Sequence, residues 1–162
     1  MKLLNDFRPE TKLWIYAFTR RLDAGEVTLV YKLLREFVDE WKSHQHDVRG
    51  AFEIVHDQFV LIAAESDNGI SGCSIDSSVA VFKALMTQHN LDALDRSFVF
   101  YRDGDVVRTT TRADFQALVD SGKVDSKTKV FNNTITTVGE LHAGKWEVPL
   151  AQSWHAQAFS AT

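Results

Sequence analysis

The one thiol of the chain, Cys73, stands in the run Gly72-Cys73-Ser74-Ile75-Asp76. These residue types could do chemistry in two ways. A cysteine at the start of a helix can act as a nucleophile once it is a thiolate. The run is followed by apolar residues at helical spacing, which places Cys73 just before a helix expected from about Ile75. A helix terminus contributes roughly 0.3–1 kcal/mol to a nearby charge, against about 1.4 kcal/mol for one pKa unit. The terminus alone therefore leaves the thiol mostly protonated, and Asp76 opposes ionisation. A base must come from elsewhere among His44, His46, His56, His89, His142 and His155. His44 and His155 are the candidate partners for Cys73. The Cys-x5-Arg phosphatase loop is absent, because Val79 holds the arginine position. A buried structural thiol is the favoured alternative.

The same run can instead hold an anion, with the amides and hydroxyls of Gly72, Ser74 and Asp76 turned toward it. Helix capping by Ser74 or Asp76 uses the same residue types and is favoured. Asn132-Asn133 follows an apolar pair and reads as a turn, with ligand binding as the alternative. Trp154 and His155 could line a pocket with Trp41 and His44, as aromatic and imidazole groups suit small polar ligands; core packing of both tryptophans is favoured. No histidine pair has metal-ligand spacing, and one cysteine makes a structural zinc site unexpected. Neither a metal nor a cofactor is expected.

The elements that would position these groups follow from periodicity and punctuation. Trp14 to Phe18 is expected as a first strand. Asp23 and Glu26 have capping-box spacing, and Val30, Leu33, Leu34, Phe37, Val38 and Trp41 recur at helical intervals, predicting a helix to about Lys42 or Ser43. Ala51–Val55 and Phe59–Ala63 flank His56-Asp57-Gln58 and predict a hairpin. A second helix carries Ile75, Val79, Phe82 and Met86. Phe98–Tyr101 is a strand, and Asp103-Gly104 turns it into Val106–Thr109. Thr111 to Asp114 caps a third helix holding Phe115, Leu118 and Val119, with Gly122 at its left-handed end. Val130-Phe131 is a short strand, and the tail with Trp146, Pro149, Trp154 and Phe159 is expected to fold back over the core.

Strand, helix, strand, strand, helix, strand is the order of a ferredoxin-like α+β sandwich, an antiparallel sheet with two helices on one face. The expected division is residues 1–105 as that core and 106–162 as a small α+β extension packed on it.

Composition bounds the function classes. At 162 residues and 44% hydrophobic the chain can bury a core without a metal or disulfide staple. With 22 acidic residues against 18 basic, and no basic run beyond Arg20-Arg21, nucleic acid is not an expected partner. The longest strongly apolar run, Phe59 to Ala64, is far short of a membrane span. The first residues turn polar at Asn5, which predicts no secretory leader. A lone cysteine fits a reducing compartment, so the expectation is a soluble cytoplasmic protein.

Two resemblances bear on function. Ile70–Asp76, Val130-Phe131-Asn132-Asn133, Trp146-Glu147-Val148-Pro149 and Ser153-Trp154-His155, in that order, resemble a family of small uncharacterised bacterial proteins typical of the Bacteroidetes, often labelled "ABC transporter ATPase". The resemblance spans Trp14 to Phe159 and implies a bacterial cytoplasmic protein. The label conflicts with the residues. A phosphate-holding Gly-x-x-x-x-Gly-Lys-Ser/Thr loop is absent, so ATP hydrolysis is not expected. The C-terminal third, through Thr111–Phe115, Leu118-Val119, Ser121–Val124 and Thr128–Phe131, is similar to GYF-like adaptor modules of bacteria. That similarity implies peptide or protein binding through an aromatic surface, although the Gly-Tyr-Phe signature itself is missing. The resulting expectation is a non-enzymatic binding or protein-interaction module for another protein or a small ligand. The alternative is a small hydrolase or transferase using Cys73.

Overall fold

Helix α1 (Ala24–Trp41) begins where a reciprocal capping box closes. Glu26 N–H donates to Asp23 Oδ1 at 2.8 Å, and Asp23 N–H donates to Glu26 Oε1 at 3.0 Å. Arg20 grips the same glutamate through two bonds of 2.8 and 2.6 Å, and this pairing holds the Glu26 carboxyl down to about 2. In the computed structural model, residues 4–41, 48–66 and 72–159 are described, with the backbone alone for 72–74.

Strands β1 (Lys12–Ala17), β2 (Arg49–Val55) and β3 (Phe59–Glu65) form an antiparallel sheet in the order β1-β3-β2. Tyr16 pairs with Val60 and Phe52 with Ile62 across it. At the β2–β3 connection, His56 and Asp57 both adopt positive φ (55° and 52°), as a type I′ turn requires. Residues Phe59 to Ala64 of β3 are all buried, which explains their unbroken apolar run: a strand covered on both faces needs no polar alternation. Helices α1 and α2 (Gly72–His89) pack on the sheet. Val30, Leu34, Val38, Phe82 and Leu85 meet Tyr16, Phe52, Val60 and Ile62, and Tyr16 stacks on Phe82 at 3.8 Å between centroids. Helix α2 starts at Gly72, three residues before the expected Ile75.

A second antiparallel sheet has the order β5-β4-β6-β7, built from β4 (Val99–Asp103), β5 (Val106–Thr110), β6 (Lys129–Phe131) and β7 (Glu147–Pro149). Gly104 supplies the positive φ (61°) of the β4–β5 turn. Helix α3 (Arg112–Asp120) is capped by Thr111, whose hydroxyl accepts from Asp114 N–H at 3.1 Å, and Gly122 follows its end at φ 77°. Phe115 and Val119 of α3 pack with Val99, Val130, Val148, Leu150 and Phe159. Two further helices, α4 (Val138–His142) and α5 (His155–Ala158), and a 3-10 turn at Leu150–Gln152 follow in the chain.

The chain divides into two compact units, Met1–Leu94 with Thr136–Gly139, and Asp95–Ile135 with Glu140–Thr162. The mixed α+β class holds, but the ferredoxin-like arrangement is incomplete. The first three strands have its order, whereas the strand expected to be the fourth, β4, pairs with β5 and β6 in the other sheet. The β1 edge is met instead by a single antiparallel bridge, Lys12 opposite Thr137. Leu13 N–H donates to Thr136 O at 2.9 Å and Val138 N–H to Thr11 O at 3.0 Å. In the tail, Val148, Leu150 and Phe159 complete the hydrophobic cluster of the second unit. Among the described residues, no helix is long and apolar enough to cross a membrane.

Candidate functional site

The extra turn at the start of α2 changes the reading of Gly72-Cys73-Ser74-Ile75-Asp76. Cys73 stands inside the first helical turn, and Ser74 and Asp76 lie within the helix, so neither is its N-cap. Asp76 is exposed. The side chains of Gly72, Cys73 and Ser74, and the whole of His44, lie outside the described residues. The serine that the structure ties down is Ser78. It is 2% exposed, donates to Ile75 O at 2.7 Å and shares a 3.0 Å bond with Tyr16 Oη.

Asn132 and Asn133 organise a turn through their side chains. Asn132 Oδ1 accepts from Thr134 N–H at 3.2 Å and from the Thr134 hydroxyl, while Asn133 Oδ1 accepts from Trp146 Nε1 at 2.9 Å. The indole so fixed packs edge-on to Phe131, with centroids 5.2 Å apart. Phe131 in turn lies under Arg102, which bonds Glu147 at 2.8 Å. Both asparagine oxygens are thus engaged within the second unit.

Trp154 and His155 come together in a different aromatic cluster of that unit. Their rings stack at 3.8 Å, and Phe115 lies 4.8 Å from Phe159 and 6.2 Å from His155 in edge-on geometry. His155 is 1% exposed, and its Nδ1 shares a 2.7 Å hydrogen bond with the Ser153 hydroxyl. Desolvation, with a smaller contribution from the Arg112 charge, lowers the His155 pKa to about 4. A neutral, enclosed imidazole beside an enclosed hydroxyl is a poor base for a substrate outside the fold. Its ring packs edge-on to Phe115 of α3.

The linkage has a definite sign. The folded pKa lies below the ordinary 6.5, so the unfolded chain takes up a proton first as pH falls. His155 therefore contributes stability that is full above about pH 6.5 and is lost progressively toward pH 4. Between pH 7.5 and 5 the loss should be about 1–2 kcal/mol. Thermal unfolding should show a drop in Tm across that range that is smaller in His155→Gln, which keeps a partner for Ser153 but cannot take the proton. An equal drop in the variant would remove His155 as the cause.

Spacing alone does not mark Arg112, yet it shapes the exposed side of this cluster. Its guanidinium lies 5.5 Å from the Trp154 ring centroid and 5.4 Å from that of Phe159. Arg112 is exposed and has no carboxylate partner among the described residues, whereas Arg20, Arg21, Arg49, Arg102 and Arg108 each pair with an acid. Trp154 is half-buried, and its Nε1 is hidden with no hydrogen-bond partner among the described residues. The available signal was Arg112 at the first position of a capped helix, next to the aromatic tail only once the chain had folded.

The first unit holds a separate concavity between α1 and α2, lined by Leu33, Phe37, Trp41 and Val81 with Glu36 and Glu40. Among the described residues no three His, Cys, Asp or Glu side chains gather as metal ligands. Comparison with protein-family models, with curated proteins and with solved structures finds no match to this chain.

Proposed function

We propose that this protein is a non-catalytic interaction module whose second unit binds an acidic segment of another protein. The observation that carries the reading is the Arg112 guanidinium, laid over Trp154 and Phe159 and without a carboxylate partner among the described residues. Guanidinium groups stacked on aromatic rings keep their hydrogen-bonding edge available, and that edge fits a carboxylate bidentately. Arginine and tryptophan are also the side chains that concentrate binding energy at protein interfaces. Leu118 of α3 is half-buried against the same hydrophobic cluster. The similarity of residues 111–131 to GYF-like adaptors points the same way.

A panel of immobilised 12-residue peptides, varied in charge and aromatic content, tests this with the full chain as the soluble partner. The bound set should be enriched in Asp and Glu. Arg112→Ala should weaken the best peptide about 10- to 30-fold, as expected for an arginine hot spot. The substitution is at an exposed position and should leave Tm unchanged. Binding indifferent to peptide charge, or unaltered in Arg112→Ala, overturns the proposal.

A further inference from the structure

We propose that strand β2 is a docking edge for a second copy of this chain, joined by antiparallel pairing of β2 with its own counterpart. The surface lies in the first unit and does not depend on the reading of Arg112. Strand β2 ends the order β1-β3-β2 and pairs with β3 alone. The 2.9 Å hydrogen bond from Phe18 N–H to Gln58 O fixes the parity of that sheet. Even-numbered residues of β3 turn their N–H and C=O toward β1, and odd-numbered ones toward β2. Gly50, Phe52 and Ile54 of β2 therefore turn their backbone groups outward, where they have no hydrogen-bond partner among the described residues.

Proteins usually blunt such an edge with proline, lysine or a bulge, or keep it very short. Strand β2 runs for seven residues in unbroken register with β3 and contains neither proline nor lysine. Tyr31 of α1 is 51% exposed, and its ring lies 5.3 Å from that of Phe52, which adds an aromatic face beside the strand.

Charge complementarity selects a second copy as the occupant. A two-fold axis at Ala51 sets Arg49 opposite Glu53 of the second copy and Glu53 opposite its Arg49, so two ion pairs close together. Arg49 already bonds Glu65 on the β3 side at 3.1 Å, and its guanidinium has donors for a further carboxylate. The same register sets Phe52 opposite Gly50, which has no side chain to obstruct the ring. The outward groups of Gly50 and Phe52 then exchange hydrogen bonds between the copies. A shift of two residues, the smallest that keeps this bonding, sets Arg49 opposite Ala51 or Val55 and loses both ion pairs.

Sedimentation equilibrium of the full chain tests the assignment. The mass should rise with concentration from 18.3 kDa toward twice that value, with a dimer Kd of about 10–100 μM for so small an interface. Glu53→Arg sets like charges opposite each other in its own dimer, and so does Arg49→Glu, so each should self-associate about five- to tenfold more weakly. Mixing the two variants restores both ion pairs in a heterodimer and should recover the native affinity. In a Cys73→Ser background, Ala51→Cys should crosslink to its own copy under oxidised glutathione, because the two residues face each other at the axis. Val55→Cys, remote from the axis, should not. A mass that stays at 18.3 kDa, a mixture no tighter than its separate variants, or crosslinking at Ala51→Cys no faster than at Val55→Cys overturns the proposal. Should a charge variant fail to fold, the mass of the native chain and the two cysteine variants still decide it.

Discussion

Phe115→Ala should lower stability by about 3–5 kcal/mol, the range for deleting a fully buried phenylalanine from a packed core. Phe115 is 0% exposed, and its ring meets Tyr101 at 5.6 Å, Phe159 at 4.8 Å and His155 at 6.2 Å between centroids. It connects the sheet, α3 and the tail, so no single neighbour can move to fill its place. Stabilities of small domains are themselves only about 5–15 kcal/mol. The variant should therefore show a much lower midpoint in urea and faster amide exchange across residues 95–135 and 140–159. The Arg112 platform rests on the same cluster, so acidic-peptide binding should fall as well. A midpoint shift corresponding to less than about 1 kcal/mol, the typical effect of an average point substitution, would show that the site collapses without loss.

Gly139→Ala should be destabilising by about 2–4 kcal/mol, against the usual preference for alanine over glycine in a helix. An added Cβ would stand 2.8 Å from Pro9 O and 3.0 Å from Pro9 Cβ. The obstacle is largely backbone, so it cannot be relieved by a side-chain rotation. The same carbonyl accepts from Gly139 N–H at 2.8 Å, so moving away breaks a hydrogen bond. The bonds from Val138 N–H to Thr11 O and from Leu13 N–H to Thr136 O follow directly along the chain and should loosen with it. Thermal unfolding measures the loss, and amide exchange at Leu13 and Val138 locates it. A Tm equal to or above that of the native chain would mean the backbone accommodates the methyl group.

These two positions show what kind of information a sequence holds. Phe115 was legible as a core residue because it shares a helical face with Leu118 and Val119 behind a capping threonine. Gly139 carried no signal, since its constraint is the carbonyl of Pro9, remote in sequence. The candidate site divides in the same way. Trp154 and His155 stood out by type, but Arg112 gained meaning only when α3 brought it over their cluster. Trp41 and Phe37 share one apolar face by their spacing, and the groove beside them exists only because α2 packs alongside α1.

What the sequence determined by itself is therefore the local structure. The Asp23–Glu26 box, the Thr111 cap, the turns at His56-Asp57 and Gly104, and the helix end at Gly122 are each set by residues within a few positions of one another. Backbone sterics and short-range hydrogen bonds act over that distance, so residue type and spacing suffice. Tertiary structure alone decided which sheet each strand joined. An apolar strand such as β4 presents the same ladder of donors and acceptors to any edge, and its pattern does not name a neighbour. Pairing with β5 and β6 left β1 to a bridge from Thr137, and it gave the second sheet the face on which Phe115, Trp154 and Arg112 meet. The run Gly72 to Asp76 belongs to α2, which begins three residues earlier than its spacing predicts.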